Sequence, residues 1–106
     1  SKYLKEWRRR WVVLTPRLLC SFREPGNYRV TPTEQVWLKD CSSVKSAEEE
    51  TRQANGFRVD SAGRIYYFYT EEHEDKEAWI GAIGRAMIRP TVVRSRSEEE
   101  MLNQMS

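Results

Sequence analysis

The spacing of apolar residues changes once along the chain, after residue 70. Before that point, apolar residues fall in short runs separated by turn-forming residues, a pattern typical of β-strands. The predicted strands are residues 7–14, 18–22, 35–38, 42–45, 57–59 and 65–70. Beyond it, Trp79, Ile80, Ile83 and Met87 recur at the spacing of one helix face, and Pro90 would end that helix. Strands followed by a single amphipathic helix predict an α+β fold.

Short connections between the predicted strands indicate hairpins. Residues 15–17 join the first two strands, which should therefore pair as an antiparallel hairpin. Residues 60–63 (Asp-Ser-Ala-Gly) have the composition of a second hairpin turn. Residues 47–55 are polar and acidic, which predicts a loop with one helical turn. The C-terminal helix must bury Trp79, and the open end of a bent sheet or barrel is the natural place for it.

The composition argues against catalysis. A chain of 106 residues has room for one domain with one core, and no run approaches the roughly 20 apolar residues that a membrane-spanning helix needs. No signal segment opens the chain. Cys20 and Cys41 lack the spacing of a zinc or redox site, so we interpret them as reduced thiols of a cytosolic protein. Cys20 lies on a predicted core strand, and His73 is the only histidine. We therefore expect no enzymatic activity, no metal and no cofactor.

Charge is distributed unevenly along the chain. Residues 1–30 carry eight basic and two acidic side chains, whereas the other 76 residues carry ten basic and fourteen acidic ones. Such a polarised domain offers one face to an anionic partner and another that repels it.

Three segments of the chain resemble the pleckstrin homology domain. They are WRRRWVVL near the start, LLCSF in the second predicted strand, and GFRVDSAGRIYYFYTEEHEDKEAWIGAIGRA toward the end. The last is the most specific, because an aromatic strand and an acidic link lead into a helix that contains Trp79. The resemblance implies a bent antiparallel β-barrel or sandwich of two sheets, capped by the C-terminal amphipathic helix. It also implies a domain over residues 1–90 and a tail over residues 91–106, in which a short second helix is possible.

The first strand of that family has no counterpart in this chain. Family members begin with a strand of the type Gly-Trp-Leu-x-Lys, whereas residues 1–5 (Ser-Lys-Tyr-Leu-Lys) resemble the loop that follows it. The strand predicted from Trp7 is therefore expected to lack one hydrogen-bonded neighbour.

Basic residues near the start form the candidate binding site. On a strand, Arg8 and Arg10 would share a face with Val12 and Leu14, which should point into the barrel. Guanidinium groups on that face can bind phosphate bidentately, and the resemblance implies a phospholipid headgroup as the ligand. The candidate headgroup-binding residues are Lys2, Lys5, Arg8, Arg10 and Arg23, and the candidate membrane-inserting residues are Tyr3 and Leu4.

The selectivity of such a site is left open by the sequence. Strong binders of 3-phosphoinositides in the family usually place a tyrosine near the end of the next strand, where this chain has Phe22 before Arg23. A loose site for phosphatidic acid or several phosphoinositides and a stereospecific site are both consistent with this pattern.

The resulting hypothesis is a monomeric, non-catalytic membrane-targeting module that binds anionic phospholipids. It would lie peripherally on the cytosolic face of a membrane as part of a signalling protein. The alternative is a protein-binding scaffold of the same fold, with Tyr28 and Trp37 as contacts, although Trp37 is expected in the core. Nucleic acid is disfavoured, because Trp7 and Trp11 are expected to pack inside the barrel.

Overall fold

Two antiparallel sheets of three strands each form most of the structure, a computed structural model that describes residues 6–88. The first sheet has the order β1-β2-β3, formed by Trp11–Leu14, Leu18–Phe22 and Glu34–Trp37. The second has the order β4-β5-β6, formed by Cys41–Ser46, Gly56–Ser61 and Arg64–Tyr69. A 3-10 helix (Leu38–Asp40) links the sheets, α1 (Glu48–Thr51) follows β4, and α2 (His73–Met87) follows β6. This confirms the predicted α+β fold.

The two sheets form an open sandwich. Within residues 6–88, β1 pairs only with β2, and β6 pairs only with β5. In the part of the chain that the structure describes, β1 and β6 are therefore edge strands, and the two sheets do not close into a barrel. Among residues 6–88, β1 has one hydrogen-bonded neighbour, β2.

The first strand begins at Trp11 and not at residue 7. The prediction that Arg8 and Arg10 lie on this strand is therefore wrong, although Val12 and Leu14 do pack against the core as expected. An edge strand gains ladder hydrogen bonds from one neighbour only, so little holds its basic N-terminal extension in the sheet.

Residues 6–10 contact the second sheet instead. The ring of Trp7 packs edge-on against the ring of Tyr69, with centroids 4.8 Å apart. Arg9 Nη1 lies 3.4 Å from Glu71 Oε1, just beyond the end of β6. The segment before β1 thus crosses from the end of β6 to the start of the first sheet.

Both predicted hairpins are present. Leu14 lies opposite Leu19 across the first hairpin, and the Thr15 hydroxyl oxygen accepts a hydrogen bond of 2.9 Å from the Leu18 amide in its turn. In the second hairpin, Ser61 lies opposite Arg64 across a two-residue turn. Gly63 adopts a φ of +80° there, a conformation that costs glycine little.

The predicted helical turn within residues 47–55 is α1. The buried Thr51 hydroxyl donates a 2.6 Å hydrogen bond to the Ala47 carbonyl and closes this turn. Gly56 is required beside it, because a Cβ at that position would collide with the Thr51 side chain.

The core contains residues of both sheets and of α2. Six almost completely buried apolar residues form it: Leu19, Val36, Leu38, Phe57, Val59 and Ile83. Trp79 and Met87 pack against it from the same helix face as Ile83, as their spacing predicted. The helix begins at His73, and the Thr70 hydroxyl donates to the Glu72 carbonyl and does not cap the helix amides.

A buried lysine near the start of α2 forms hydrogen bonds with the end of β4 and with α1. Lys76 is 1% exposed, and its ammonium donates hydrogen bonds to Ser46 Oγ at 2.7 Å and to Glu48 Oε1 at 2.9 Å. A buried ammonium is stable only when it is paired and hydrogen-bonded, and these two oxygens satisfy that need. Sequence analysis did not identify this contact.

Three tryptophans expected inside the protein lie at its surface. Trp7, Trp11 and Trp37 are between 43% and 48% exposed. Trp37 alternates with the buried Val36 on β3, so its ring lies on the outer face of an edge strand. The Lys39 ammonium lies 5.4 Å from the centre of that ring.

Replacing Ile83 with alanine is expected to lower the free energy of unfolding by about 2–5 kcal/mol, because it leaves a cavity between helix and sheets. The matched control is Ile88→Ala, since Ile88 is 73% exposed. Its effect should stay within about 0.5 kcal/mol. Urea denaturation followed by tryptophan fluorescence measures both, and equal losses would contradict the packing of α2 described above.

Replacing Glu48 with glutamine is expected to make stability less sensitive to acid. The Lys76 ammonium, through its hydrogen bond and its charge, holds the pKa of the Glu48 carboxyl below its ordinary value of 4.5. A carboxyl whose pKa is lower in the folded than in the unfolded state stabilises the fold above the unfolded value. That contribution disappears as the pH falls through the folded value.

Thermal unfolding at a series of pH values from about 6 to about 3 tests this. The midpoint of the wild-type chain should fall more steeply below about pH 4.5 than that of Glu48→Gln. Glu49→Gln, an exposed position in the same turn, should keep the wild-type slope. Identical slopes for all three proteins would show that the Lys76 contact does not contribute.

Candidate anion-binding site

Two arginines flank one end of the β1–β2 ladder. Trp11 and Phe22 form its last pair, so Arg10 directly precedes the pair and Arg23 directly follows it. Within residues 6–88, neither arginine has a carboxylate oxygen within 4 Å. Arg10 Nη1 donates to the Arg9 carbonyl at 2.9 Å, which leaves most of its donors free.

Both arginines lie just outside the two strands. On β1, Val12 and Leu14 pack against the core, and Arg10 precedes the first residue of the strand. On β2, Leu19 and Ser21 are buried, and Arg23 follows the last residue of the strand. The two arginines therefore belong to the edge of the sandwich at this end of the hairpin, which we call the rim.

An ion pair joins the two sheets beside the end of β2. Glu34 begins β3 directly opposite Ser21, and Arg64 begins β6. Arg64 Nη2 lies 3.2 Å from Glu34 Oε1, and Nη1 lies 3.4 Å from Oε2. The Arg64 guanidinium carbon also lies 4.5 Å from the centre of the Tyr66 ring.

Arg64 and Glu34 were missed by sequence analysis. Arg64 lies beside the predicted second hairpin, and its partner is 30 residues away in a different sheet. Nothing in the spacing of either local segment indicates the pair, because it depends on how the two sheets pack.

The loop between β2 and β3 is fastened over the outer face of the first sheet. Trp11 Nε1 donates a 2.9 Å hydrogen bond to the Tyr28 hydroxyl, and the Tyr28 ring packs edge-on against Phe22 at 5.2 Å. At the end of the loop, the Ser21 and Thr33 hydroxyls are 2.6 Å apart, and the Thr33 amide donates to the Ser21 carbonyl. These contacts hold the backbone on both sides of Arg23.

The two other described arginines before β1 each lie near a carboxylate. Arg8 lies 3.7 Å from Glu6 and Arg9 lies near Glu71, and all four side chains are mostly exposed. Such pairs are weak, so both arginines remain available to a ligand. Outside the described residues lie Lys2, Tyr3, Leu4 and Lys5, together with residues 91–106 of the predicted tail.

The thiols and the histidine lack features of a catalytic centre. Burial raises the pKa of the Cys20 thiol, which disfavours the reactive thiolate. Burial is also the largest cause of the raised pKa of Cys41. His73 is exposed at the start of α2, 3.8 Å from Glu77. Among the described residues, no group of three or more His, Cys, Asp and Glu side chains is arranged to hold a metal ion.

Between residues 6 and 88, no helix combines the length and the apolar character needed for a membrane span.

Comparison with protein families and sequences identifies similar proteins. The family model described as PH domain matches residues 1–87. Pleckstrin homology domain-containing protein 1 of Arabidopsis thaliana is 32% identical over 104 residues, which cover 95% of this chain and 70% of that protein. Pleckstrin homology domain-containing family A member 6 of Homo sapiens is 30% identical over 87 residues, 81% of this chain but 8% of that protein. The phosphatidylinositol 4,5-bisphosphate-binding protein SLM2 of Saccharomyces cerevisiae is 30% identical over 95 residues, 78% of this chain and 14% of that protein.

Solved structures of low sequence identity share the fold. The PH domain of the human KIAA0053 protein superposes with a TM-score of 0.68 at 17% identity, covering 87% of this chain and 85% of that one. The Slm1 PH domain in complex with phosphoserine gives a TM-score of 0.67 at 22% identity, covering 82% of this chain and 86% of that one.

Replacing Thr33 with valine is expected to loosen the loop that carries Arg23. The change leaves the buried Ser21 hydroxyl without its 2.6 Å partner, which should lower the free energy of unfolding. The expected loss is about 1–3 kcal/mol. Thr31→Val, at an exposed position of the same loop, is the control and should change stability by about 0.5 kcal/mol or less. Denaturation midpoints and amide exchange across residues 23–33 measure both, and unchanged exchange in Thr33→Val would contradict this role.

Proposed function

The chain belongs to the pleckstrin homology (PH) domain family, and we propose that it binds the anionic headgroups of membrane phospholipids at the rim of its sandwich. The observation that carries the proposal is the position of Arg10 and Arg23. They flank the last pair of one hairpin and, within the described residues, have no carboxylate partner.

The chemistry of these side chains suits a phosphate group. A guanidinium group presents two parallel N–H donors to phosphate oxygens and keeps its charge at any physiological pH. Residues 1–30 carry two acidic side chains against eight basic ones, so the electrostatic potential of this segment favours an anion. Each basic residue close to an anionic membrane contributes on the order of 1 kcal/mol.

Exposed aromatic and apolar groups lie next to the rim. Trp11, Tyr28 and Val30 are each between 48% and 53% exposed. Trp and Tyr rings have an apolar body and a polar edge, which suits the boundary between headgroups and acyl chains. We propose that this surface lies against the membrane while the arginines bind phosphate.

The basic residues before β1 extend the proposed site. Among residues 6–88, the one ion pair of Arg8 is an exposed and therefore weak contact with Glu6. We also propose that Lys2 and Lys5 bind headgroups and that Tyr3 and Leu4 insert between them, as the family resemblance implies.

Two similar proteins support an anionic ligand. The yeast relative SLM2 is a phosphatidylinositol 4,5-bisphosphate-binding protein. The Slm1 PH domain forms a complex with phosphoserine, whose side chain is a phosphate monoester. For this chain, the proposal covers phosphoinositides and phosphatidic acid, because both present phosphate monoesters at the membrane surface. It would act there as a monomeric, non-catalytic module on the cytosolic face of the membrane.

A protein-binding function is the second candidate, and one observation favours it. Trp37 is 43% exposed at the far end of the first sheet, with the Lys39 ammonium over its ring. Tryptophan is enriched among the residues that dominate the binding energy of protein interfaces, so an exposed tryptophan suits a protein contact.

Co-sedimentation with vesicles distinguishes these functions. Replacing both Arg10 and Arg23 with alanine should weaken binding to phosphatidylcholine vesicles that contain phosphatidylinositol 4,5-bisphosphate or phosphatidic acid. The loss of two membrane-facing charges is worth about 2 kcal/mol, or about thirtyfold in affinity.

The matched control removes two charges at the other end of the sheet. Arg17 and Lys39 are exposed, and the double variant Arg17→Ala, Lys39→Ala should bind almost as well as the wild-type chain. Equal weakening by both double variants would indicate general charge attraction without a site. A wild-type chain that binds none of the vesicles would contradict the lipid proposal and favour a protein partner.

A further inference from the structure

The Arg64 guanidinium already holds an anion from its own chain. Its two terminal nitrogens face the two Glu34 oxygens at 3.2 and 3.4 Å. This paired arrangement is also how a guanidinium group binds two oxygens of a phosphate. The Glu34 carboxylate therefore occupies the position that a phosphate would take on Arg64.

We propose that Glu34 is an internal competitor for the headgroup phosphate, and that a ligand gains Arg64 only by displacing it. This inference rests on the proposed function, since the ligand enters beside Arg10 and Arg23. It adds a third arginine from the second sheet and assigns to Glu34 the control of its availability.

The exposure of the pair makes displacement feasible. The side chains of Arg64 and Glu34 are 58% and 46% exposed. Exposed ion pairs of this kind contribute little to folding, so Glu34 can turn into solvent without disturbing the core.

Arg64 stays in place when Glu34 leaves. Its guanidinium group lies 4.5 Å above the Tyr66 ring, and Tyr66 is packed against the core. The cation–π contact does not involve the Glu34 oxygens, so the Arg64 guanidinium group keeps its orientation.

The competitor should favour ligands of high charge. A carboxylate carries one negative charge, whereas a phosphate monoester carries about 1.5 to 2 at neutral pH. The electrostatic attraction to Arg64 is therefore stronger for a phosphate monoester than for the Glu34 carboxylate. A phosphodiester carries a single charge and has no such advantage, so phosphatidylserine should displace Glu34 poorly.

Glu34→Gln tests this inference in the 106-residue chain. The amide keeps the size of the side chain and removes its charge, so it should compete less for Arg64. Affinity for phosphatidylcholine vesicles containing phosphatidylinositol 4,5-bisphosphate should rise about two- to fivefold. Free inositol trisphosphate, measured by calorimetry, should show the same gain, which separates headgroup recognition from attraction to the vesicle surface.

Glu50→Gln is the matched control. Glu50 also pairs with an arginine, Arg58 at 3.0 Å, but it lies in α1, and the substitution changes net charge by the same amount. It should leave both affinities close to wild type. Vesicles of phosphatidylserine at equal total charge should respond alike to the two variants.

A double variant links the gain to Arg64. When Arg64→Ala is combined with Glu34→Gln, the gain from Glu34→Gln should disappear. A gain that persists without Arg64, or equal gains for Glu34→Gln and Glu50→Gln, would overturn the inference. Thermal unfolding of each variant shows that the chain is folded in every comparison.

The outcomes also separate this inference from the proposed function. Wild-type binding that is weakened by the Arg10 and Arg23 substitutions, together with no specific gain in Glu34→Gln, would retain the proposed function and overturn the competitor. Binding by Glu34→Gln but not by the wild-type chain would contradict lipid binding by the natural chain and support the competitor. Absence of binding in both proteins would overturn both.

Discussion

The apolar cluster that joins α2 to residues of both sheets is the contact on which the rest of the structure depends. Leu19 and Val36 come from the first sheet and Val59 from the second, and Ile83 of α2 completes the same buried cluster. Each sheet has three strands and must bury its apolar face against another layer to be stable. Ile83 of α2 supplies part of that layer, and the shared core fixes the position of one sheet against the other.

That position brings together charges that are distant in the chain. Lys76 reaches Glu48 beside β4, and Arg64 reaches Glu34 across the two sheets. The two pairs differ in what they contribute. The ammonium of Lys76 is buried and must be paired, whereas Arg64 and Glu34 are half exposed and can separate at little cost. The first pair is therefore structural, and the second can exchange its partner.

The uneven distribution of charge along the chain also has a counterpart in the structure. Acidic residues near the two helices are used in internal contacts, as in the pairs of Glu50 with Arg58 and Glu48 with Lys76. Arg10 and Arg23 have no such partner within residues 6–88. A cation without an internal partner at the edge of the sandwich is suited to an external anion, because binding does not require an internal ion pair to be broken.

The sequence by itself determined the strands, the two hairpins, the helix that follows them and its buried face, because these depend on periodicity and turn residues that are close together in the chain. The family resemblance predicted the sandwich architecture. It also implied a phospholipid headgroup as the ligand of the arginines near β1. Only the tertiary structure decided that β1 starts at Trp11, that Trp37 faces outward and that Lys76 is buried. It also decided the pairing of Glu34 with Arg64. These features depend on which strand lies at an edge and which sheets meet, and no local pattern of residues encodes that information.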